Sequence, residues 1–332
     1  LLAYFTMEAW ARVRFYLNNA HMPADIRQNI GVNLFKAYRL RPNYLGVAPC
    51  GVEYRTDEHG FRTGAVSPAD SVGTLVLGGD SRIFGLGIAY GQSVAGLLES
   101  RGKWKVYQQA LPGGSPAFFL HQMVDLGNLD SLVHVPDRIV YAFDEEDFRN
   151  DREFAAEMAV EHGPFSPRRI KLALGGYLWS MLKIKFDSFR ARSSDVKGDS
   201  LARLFGQDGK ADKLSPLEGD RPALKIKEME LAPIDGMIRA AAARGMGFLL
   251  VYMPRAPDLL SRSCPLSVLL EEHLKGQRAE YLDLFRVLDR HCKGEEALVR
   301  ELFFDYDEGI HFNVRGLELV SEAIQAALKE SR

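Results

Sequence analysis

The chain has 332 residues, of which 46% are hydrophobic and 26% charged, and its formal net charge is -2. This is an ordinary globular composition with enough apolar residues for a full core in one large or two modest domains, and its balance implies neither nucleic acid nor an acidic polymer as partner. Cys50, Cys264 and Cys292 are scattered without Cys-x-x-Cys spacing, so neither a disulfide framework nor a zinc site is expected.

Leu1-Leu2-Ala3-Tyr4-Phe5-Thr6 is a short apolar run leading into an amphipathic helical pattern over about 4–19, and a second apolar helical or turn system reaches about Leu40. The run is too short to span a bilayer. It reads as the trimmed end of a membrane anchor or signal segment, which would tether the protein outside the cytoplasm, or else as a core helix of a cytoplasmic protein. Residues 41–73 are irregular and rich in Pro, Gly and Tyr. Within them Tyr54-Arg55-Thr56-Asp57-Glu58-His59-Gly60-Phe61-Arg62 has the form of a short strand pair closed by an Asp-to-Gly turn.

From Thr74 short apolar runs alternate with helical patterns, the signature of βαβ units. Strands are expected at about 74–77, 104–108, 138–143, 247–252 and 280–282. Helices are expected at about 88–100, 116–126, 265–275 and 316–329. The fold class is α/β: five parallel strands in a three-layer α/β/α sandwich, with ligands collecting beyond the carboxyl ends of the strands. The domain organisation is an N-terminal helical segment over 1–44 and an α/β/α domain over 45–332. That domain carries an insertion at about 149–231. Its part around 170–192 is helical, apolar and basic, and 193–219 has the polar, Gly- and Asp-rich composition of a loop. A helix packed on the core with a solvated basic face is the first reading of the insertion; a lid, a substrate-binding surface or a membrane-surface helix are the functional ones.

The chemistry gathers beyond the strands. After the first, Val76-Leu77-Gly78-Gly79-Asp80-Ser81 stops an apolar run at two glycines and presents a serine at a helix N-terminus, where unpaired N–H groups point toward whatever the hydroxyl attacks. Ser81 alone reads first as a helix cap, because serine is a favoured N-cap. Gly85-Leu86-Gly87-Ile88-Ala89-Tyr90-Gly91 is one residue too long for the dinucleotide fingerprint and no Gly-Lys-Ser/Thr follows, so a nucleotide is set aside. After the second strand, Gln109 to Pro116 contains Gly113 and Gly114, either of which could aim a backbone N–H at a developing oxyanion. After the third come Asp144, Glu145, Glu146 and Asp147; neighbouring carboxylates on a strand end point in opposite directions, which disfavours one metal cage. After the fifth, Asp305-Tyr306-Asp307-Glu308-Gly309-Ile310-His311 places a histidine in a carboxylate-rich turn. A serine needs an imidazole to take its proton, and the imidazole works best with a carboxylate on its other nitrogen. His311 is the candidate base and Glu308 its partner, with Asp307 and Asp305 as competitors.

Together these residues resemble the SGNH/GDSL hydrolases, serine esterases and acyltransferases, over about Leu45 to the C-terminus without the insertion. The likeness lies in Gly79-Asp80-Ser81 with Phe84-Gly85-x-Gly87, in Asp57-Glu58-His59-Gly60-Phe61-Arg62, and in Glu308-Gly309-Ile310-His311 followed by Asn313-x-x-Gly316. The resemblance implies a flavodoxin-like sheet, Ser81 as nucleophile, His311 as base and Glu308 as acid where aspartate is usual. It also implies an oxyanion hole from the N–H of Ser81 and of Gly113 or Gly114. The family's third block, Gly-x-Asn-Asp, falls on Asp144 to Asp147, so Glu146 stands at the oxyanion asparagine. An ionised glutamate would repel the oxyanion, and losing one such donor costs on the order of a hundredfold to a thousandfold in rate. A buried, protonated Glu146 would still donate. The implied activity is hydrolysis or transfer of small acyl groups, acetyl groups of a surface glycan among them, with a small-molecule or glycan ester as partner and no cofactor. The alternative is a non-catalytic relative whose cleft binds a glycan or a protein.

Overall fold

The computed structural model describes residues 40, 42–47, 52–64, 71–102, 104–125, 132, 135–161, 231–304 and 309–330. The expected N-terminal helix, Cys50, most of the insertion, and Asp305, Asp307 and Glu308 lie outside them. The chain divides into two compact units, Leu1–Pro23 with Glu157–Leu224, and Ala24–Ala156 with Lys225–Arg332. The sheet and the candidate site belong to the second.

The five apolar runs form strands close to their expected places: β4 (Gly73–Gly78), β5 (Trp104–Gln108), β6 (Arg138–Phe143), β7 (Gly247–Tyr252) and β8 (Glu280–Asp283). They pair in parallel in the order β5-β4-β6-β7-β8. Counted among themselves this is the flavodoxin-like order, whose switch point lies between the first and third strands, here β4 and β6. Alternate side chains serve opposite faces. Leu75, Leu77, Val140, Ala142, Leu249 and Val251 pack into one core with the helices Val94–Ser100, Leu284–Cys292 and Val314–Glu330. Val76, Ile139, Tyr141, Phe143, Phe248, Leu250 and Tyr252 pack into the other with Ala232–Ala243 and Pro265–Leu274. Both faces are covered, which is why these strands read as unbroken apolar runs. Each aliphatic or Phe side chain so buried contributes about 1.5–3 kcal/mol.

Three short antiparallel strands extend the sheet to eight: β1 (Leu45–Val47), β2 (Glu53–Thr56) and β3 (Arg62–Thr63). The expected strand pair is β2 and β3, closed by a turn in which the Asp57 carboxylate accepts from the N–H groups of His59 and Phe61. The pair joins the parallel strands through Arg62 opposite Gln108.

Two expected helices are corrected. The segment 88–100 does not form one helix. A four-residue helix, Ser81–Phe84, leaves β4 directly and ends at Gly85 (φ 72), and Val94–Ser100 starts afresh on the Ser93 cap. The helix from Pro116 is α-helical only to Leu120 and continues as a π turn, His121–Asp125. Helices at Glu146–Glu161, Ala256–Ser261 and Glu296–Arg300 add to the reading. The first of these carries the start of the insertion, and Phe148 in its first turn packs edge-on against Phe143 at 5.0 Å. Among the described residues no helix is long and apolar enough to cross a membrane.

Candidate active site

Ser81 sits at the carboxyl end of β4, at the switch point of the sheet. Gly79 holds φ at 137°, and a Cβ there would stand 2.6 Å from Ile83 Cγ2 and 2.8 Å from the Ala142 carbonyl oxygen. The chain can turn this sharply only without a side chain. Asp80, not Ser81, is the helix cap: its Oδ1 accepts from the Arg82 N–H at 2.9 Å. The cap reading of Ser81 is therefore corrected, and its hydroxyl is left for other work.

Four residues make too short a helix to hold itself, and two buried arginines clamp it. Arg62, from the Gly60-Phe61-Arg62 segment, donates to the carbonyls of Phe84, Gly85 and Ile88 at the far end. Its guanidinium lies over the Tyr54 ring at 4.4 Å. Arg82, 2% exposed, reaches below the turn and donates to Asp144 Oδ2 at 2.8 Å, to the Met253 carbonyl at 2.9 Å and to the Pro254 carbonyl. Local pattern gave no sign of either role.

His311 lies on the segment before the last helix. Phe303 and Phe312 form an isolated bridge with rings stacked at 4.5 Å, and Phe304 donates to the His311 carbonyl at 3.0 Å. Asn313 explains its motif: its amide donates to the carbonyls of Glu301 and Phe303, and its oxygen caps the last helix at the Gly316 N–H. On the other side the Ala256 N–H holds the Gly309 carbonyl at 3.1 Å. Fixed this way, His311 Nε2 stands 2.8 Å from Ser81 Oγ, across 230 residues of sequence. Both side chains are half-buried and open to a ligand.

The loop after β5 folds back on the Gly79–Ser81 turn, with the Leu111 N–H bonded to the Gly79 carbonyl at 3.1 Å. Gly114 is excluded as an oxyanion donor because its N–H is held by the Leu111 carbonyl at 2.8 Å. The N–H groups of Ser81 and Gly113 engage no acceptor among the described residues. Glu146 does not occupy a buried pocket. It is half-buried in the first turn of its helix and pairs with Arg149 at 3.2 Å. One turn on, the Asn150 amide donates to the Gly114 carbonyl at 3.3 Å and Asp151 accepts from the Ala117 N–H, tying this helix to the same loop.

Next to the serine three buried carboxyls, Asp80, Asp144 and Asp147, lie close together, and the buried Arg82 pairs with Asp144 and acts on Asp80. Burial first, and the Asp144 charge second, push the Asp80 carboxyl up to about 7, against the opposing pull of Arg82 and His311. The same two causes and Asp80 itself hold Asp147 well above the usual carboxylate range. Asp144 is spent on structure, accepting at Oδ1 from the N–H groups of Glu146 and Asp147 while Oδ2 takes Arg82. Among the described residues no group of three or more His, Cys, Asp or Glu could hold a metal ion.

No family model matches the chain, and no curated protein matches it. Among solved structures it is similar to TesA, at 14% identity over 77% of this chain and 98% of that one, with a TM-score of 0.42. It is similar to a GDSL-like lipase from Bacteroides thetaiotaomicron at 12% identity over 78% and 89%, TM-score 0.40. An acetyl xylan esterase follows at 10% identity over 76% and 98%, TM-score 0.41. In fold the chain is similar to the SGNH/GDSL hydrolases, and its own sheet order, with the Gly-Asp-Ser turn at the switch point, carries that likeness.

Proposed function

We propose that the protein is a serine-dependent esterase or O-acyltransferase acting on small acyl esters, acetyl groups of a glycan among them. The observation that carries the reading is the 2.8 Å contact between Ser81 Oγ and His311 Nε2 at the switch point of the sheet. Ser81 Oγ attacks the acyl carbon and its proton passes to His311 Nε2. The carbonyl oxygen becomes an oxyanion, received by the N–H groups of Ser81 and Gly113. Collapse expels the alcohol, which leaves with the proton from His311, and an acyl group remains on Ser81. Water then completes hydrolysis, or a hydroxyl acceptor completes transfer, with His311 as base. Glu308 orients His311 through its other ring nitrogen, a role that rests on the family resemblance.

A fluorophosphonate probe should label the wild-type protein at Ser81 and leave Ser81→Ala unlabelled, with p-nitrophenyl acetate hydrolysis lost in the same variant. A wild type that stays unlabelled across a pH series removes the reading. Glu146, paired with Arg149 where the family carries asparagine, favours the second reading, a cleft that binds a glycan or protein partner without chemistry.

A further inference from the structure

The Ser81–His311 contact joins two segments that share no secondary structure, and a second contact runs beside it. Arg82 follows Ser81, and Phe312 follows His311. The Arg82 guanidinium carbon lies 5.3 Å from the centre of the Phe312 ring. The same guanidinium fork bonds the end of β6 through Asp144 and the segment after β7 through the carbonyls of Met253 and Pro254. One side chain thus ties together the nucleophile turn, the ends of two neighbouring strands and the residue after the base.

We infer that Arg82 is a positioning residue that sets the register of Ser81 against His311, its fork fixing the nucleophile turn on β6 and β7 while its guanidinium lies over the Phe312 ring. The inference rests on the serine-ester reading above and deepens it. Filling this volume does not call for a cation. Taking a guanidinium out of water carries several kcal/mol of desolvation, and well-packed apolar residues often replace a buried ion pair without loss of stability. A guanidinium differs from an apolar residue, and from lysine, in donating along several fixed directions at once and in presenting a delocalised cation to a ring. Those are the two properties used here. Burial also matters: Arg82 is almost wholly buried while Ser81 is only half-buried, so Arg82 lies out of a substrate's reach.

The test uses Arg82→Lys, which keeps the charge beside Asp144 but loses the fork and the delocalised cation over the ring, and Phe312→Leu, which removes only the ring. A misplacement of about 1 Å at a reacting pair costs on the order of a hundredfold. In each folded variant kcat for p-nitrophenyl acetate should therefore fall about a hundredfold with KM within twofold, and fluorophosphonate labelling of Ser81 should slow in step. The double variant should be no worse than about tenfold below the poorer single one, because both changes break one alignment. Arg82→Lys with wild-type kcat, or a double variant showing the full product of the two losses, overturns the inference. Should Arg82→Lys fail to fold, Phe312→Leu decides alone, and an unchanged kcat there overturns it equally. Wild-type labelling at Ser81 separates this outcome from failure of the functional reading, which would remove both.

Discussion

Gly79→Ala is the substitution for which the structure allows the magnitude to be worked. The new Cβ would lie 2.6 Å from Ile83 Cγ2 and 2.8 Å from the Ala142 carbonyl oxygen, at a φ of 137° that side-chain-bearing residues rarely adopt. The side chain of Ile83 can turn aside; the Ala142 carbonyl belongs to the central strand β6 and cannot. Backbone strain of this kind costs about 1–3 kcal/mol, and overpacking a close-fitted core adds about 1–3 kcal/mol. A central value of about 4 kcal/mol corresponds to a fall in melting temperature of about 8–16 °C for a unit of this size. Gly113→Ala is the control. Its φ of 75° also favours glycine, but no atom lies within 4 Å of the added Cβ, so only the left-handed conformation is strained, at about 1–2 kcal/mol. Thermal and urea unfolding of both variants measures the difference, and fluorophosphonate labelling of the folded fraction reads whether Ser81, two residues on, has moved. If Gly79→Ala is as mild as Gly113→Ala, or labels at the wild-type rate, the account of the turn is wrong.

Asp80→Asn tests the buried acid cluster while keeping a cap acceptor for the Arg82 N–H. Because the folded chain raises this carboxyl from 3.8 to about 7, it holds a proton there that the unfolded chain has released, so the group's contribution to stability is lost as pH rises through that window. The melting temperature of Asp80→Asn relative to wild type should accordingly improve from pH 5 to pH 8, and a constant offset between the two would refute the assignment. Glu146→Asn should raise kcat for p-nitrophenyl acetate on the order of a hundredfold by restoring an amide donor to the hole. A fall in rate would show instead that the glutamate itself is used.

What the sequence discloses here divides along the range of the physics involved. β4, β6 and β7 are legible because strands covered on both faces are largely apolar, and Ser81 and His311 because few other arrangements put a hydroxyl after a Gly-Gly turn at a strand end and an imidazole in a carboxylate-rich segment before the last helix, although two helices, Leu284–Cys292 and Glu296–Arg300, and not β8 itself, lead to His311. The break at Gly85 was legible in principle: Gly85 and Gly87 are ordinary helix breakers, and the expected helix over 88–100 overran the further glycine of the Tyr90–Gln92 turn. The choice between Gly113 and Gly114 was not, since it turns on which N–H the Leu111 carbonyl takes. Nor was the direction of Glu146, which depends on Arg149 lying one turn along a helix that the insertion reading did not contain.

The two arginines show the limit most sharply. Arg62 and Arg82 are among the largest fully buried side chains of the described residues, yet each sits in a segment where arginine ordinarily faces water. Nothing local distinguishes them, because their partners are carbonyls and a carboxylate contributed by β6, the segment after β7 and the turn beyond Phe84. The helix they hold has four residues and no stability of its own. A serine on so short an element is placed by what surrounds it, so its residue type can be read from sequence while its aim cannot. Placing that aim on Arg82 and Phe312, two residues of no catalytic chemistry, makes the geometry of the pair a property of the assembled sheet and ties loss of activity to changes that leave Ser81 and His311 untouched.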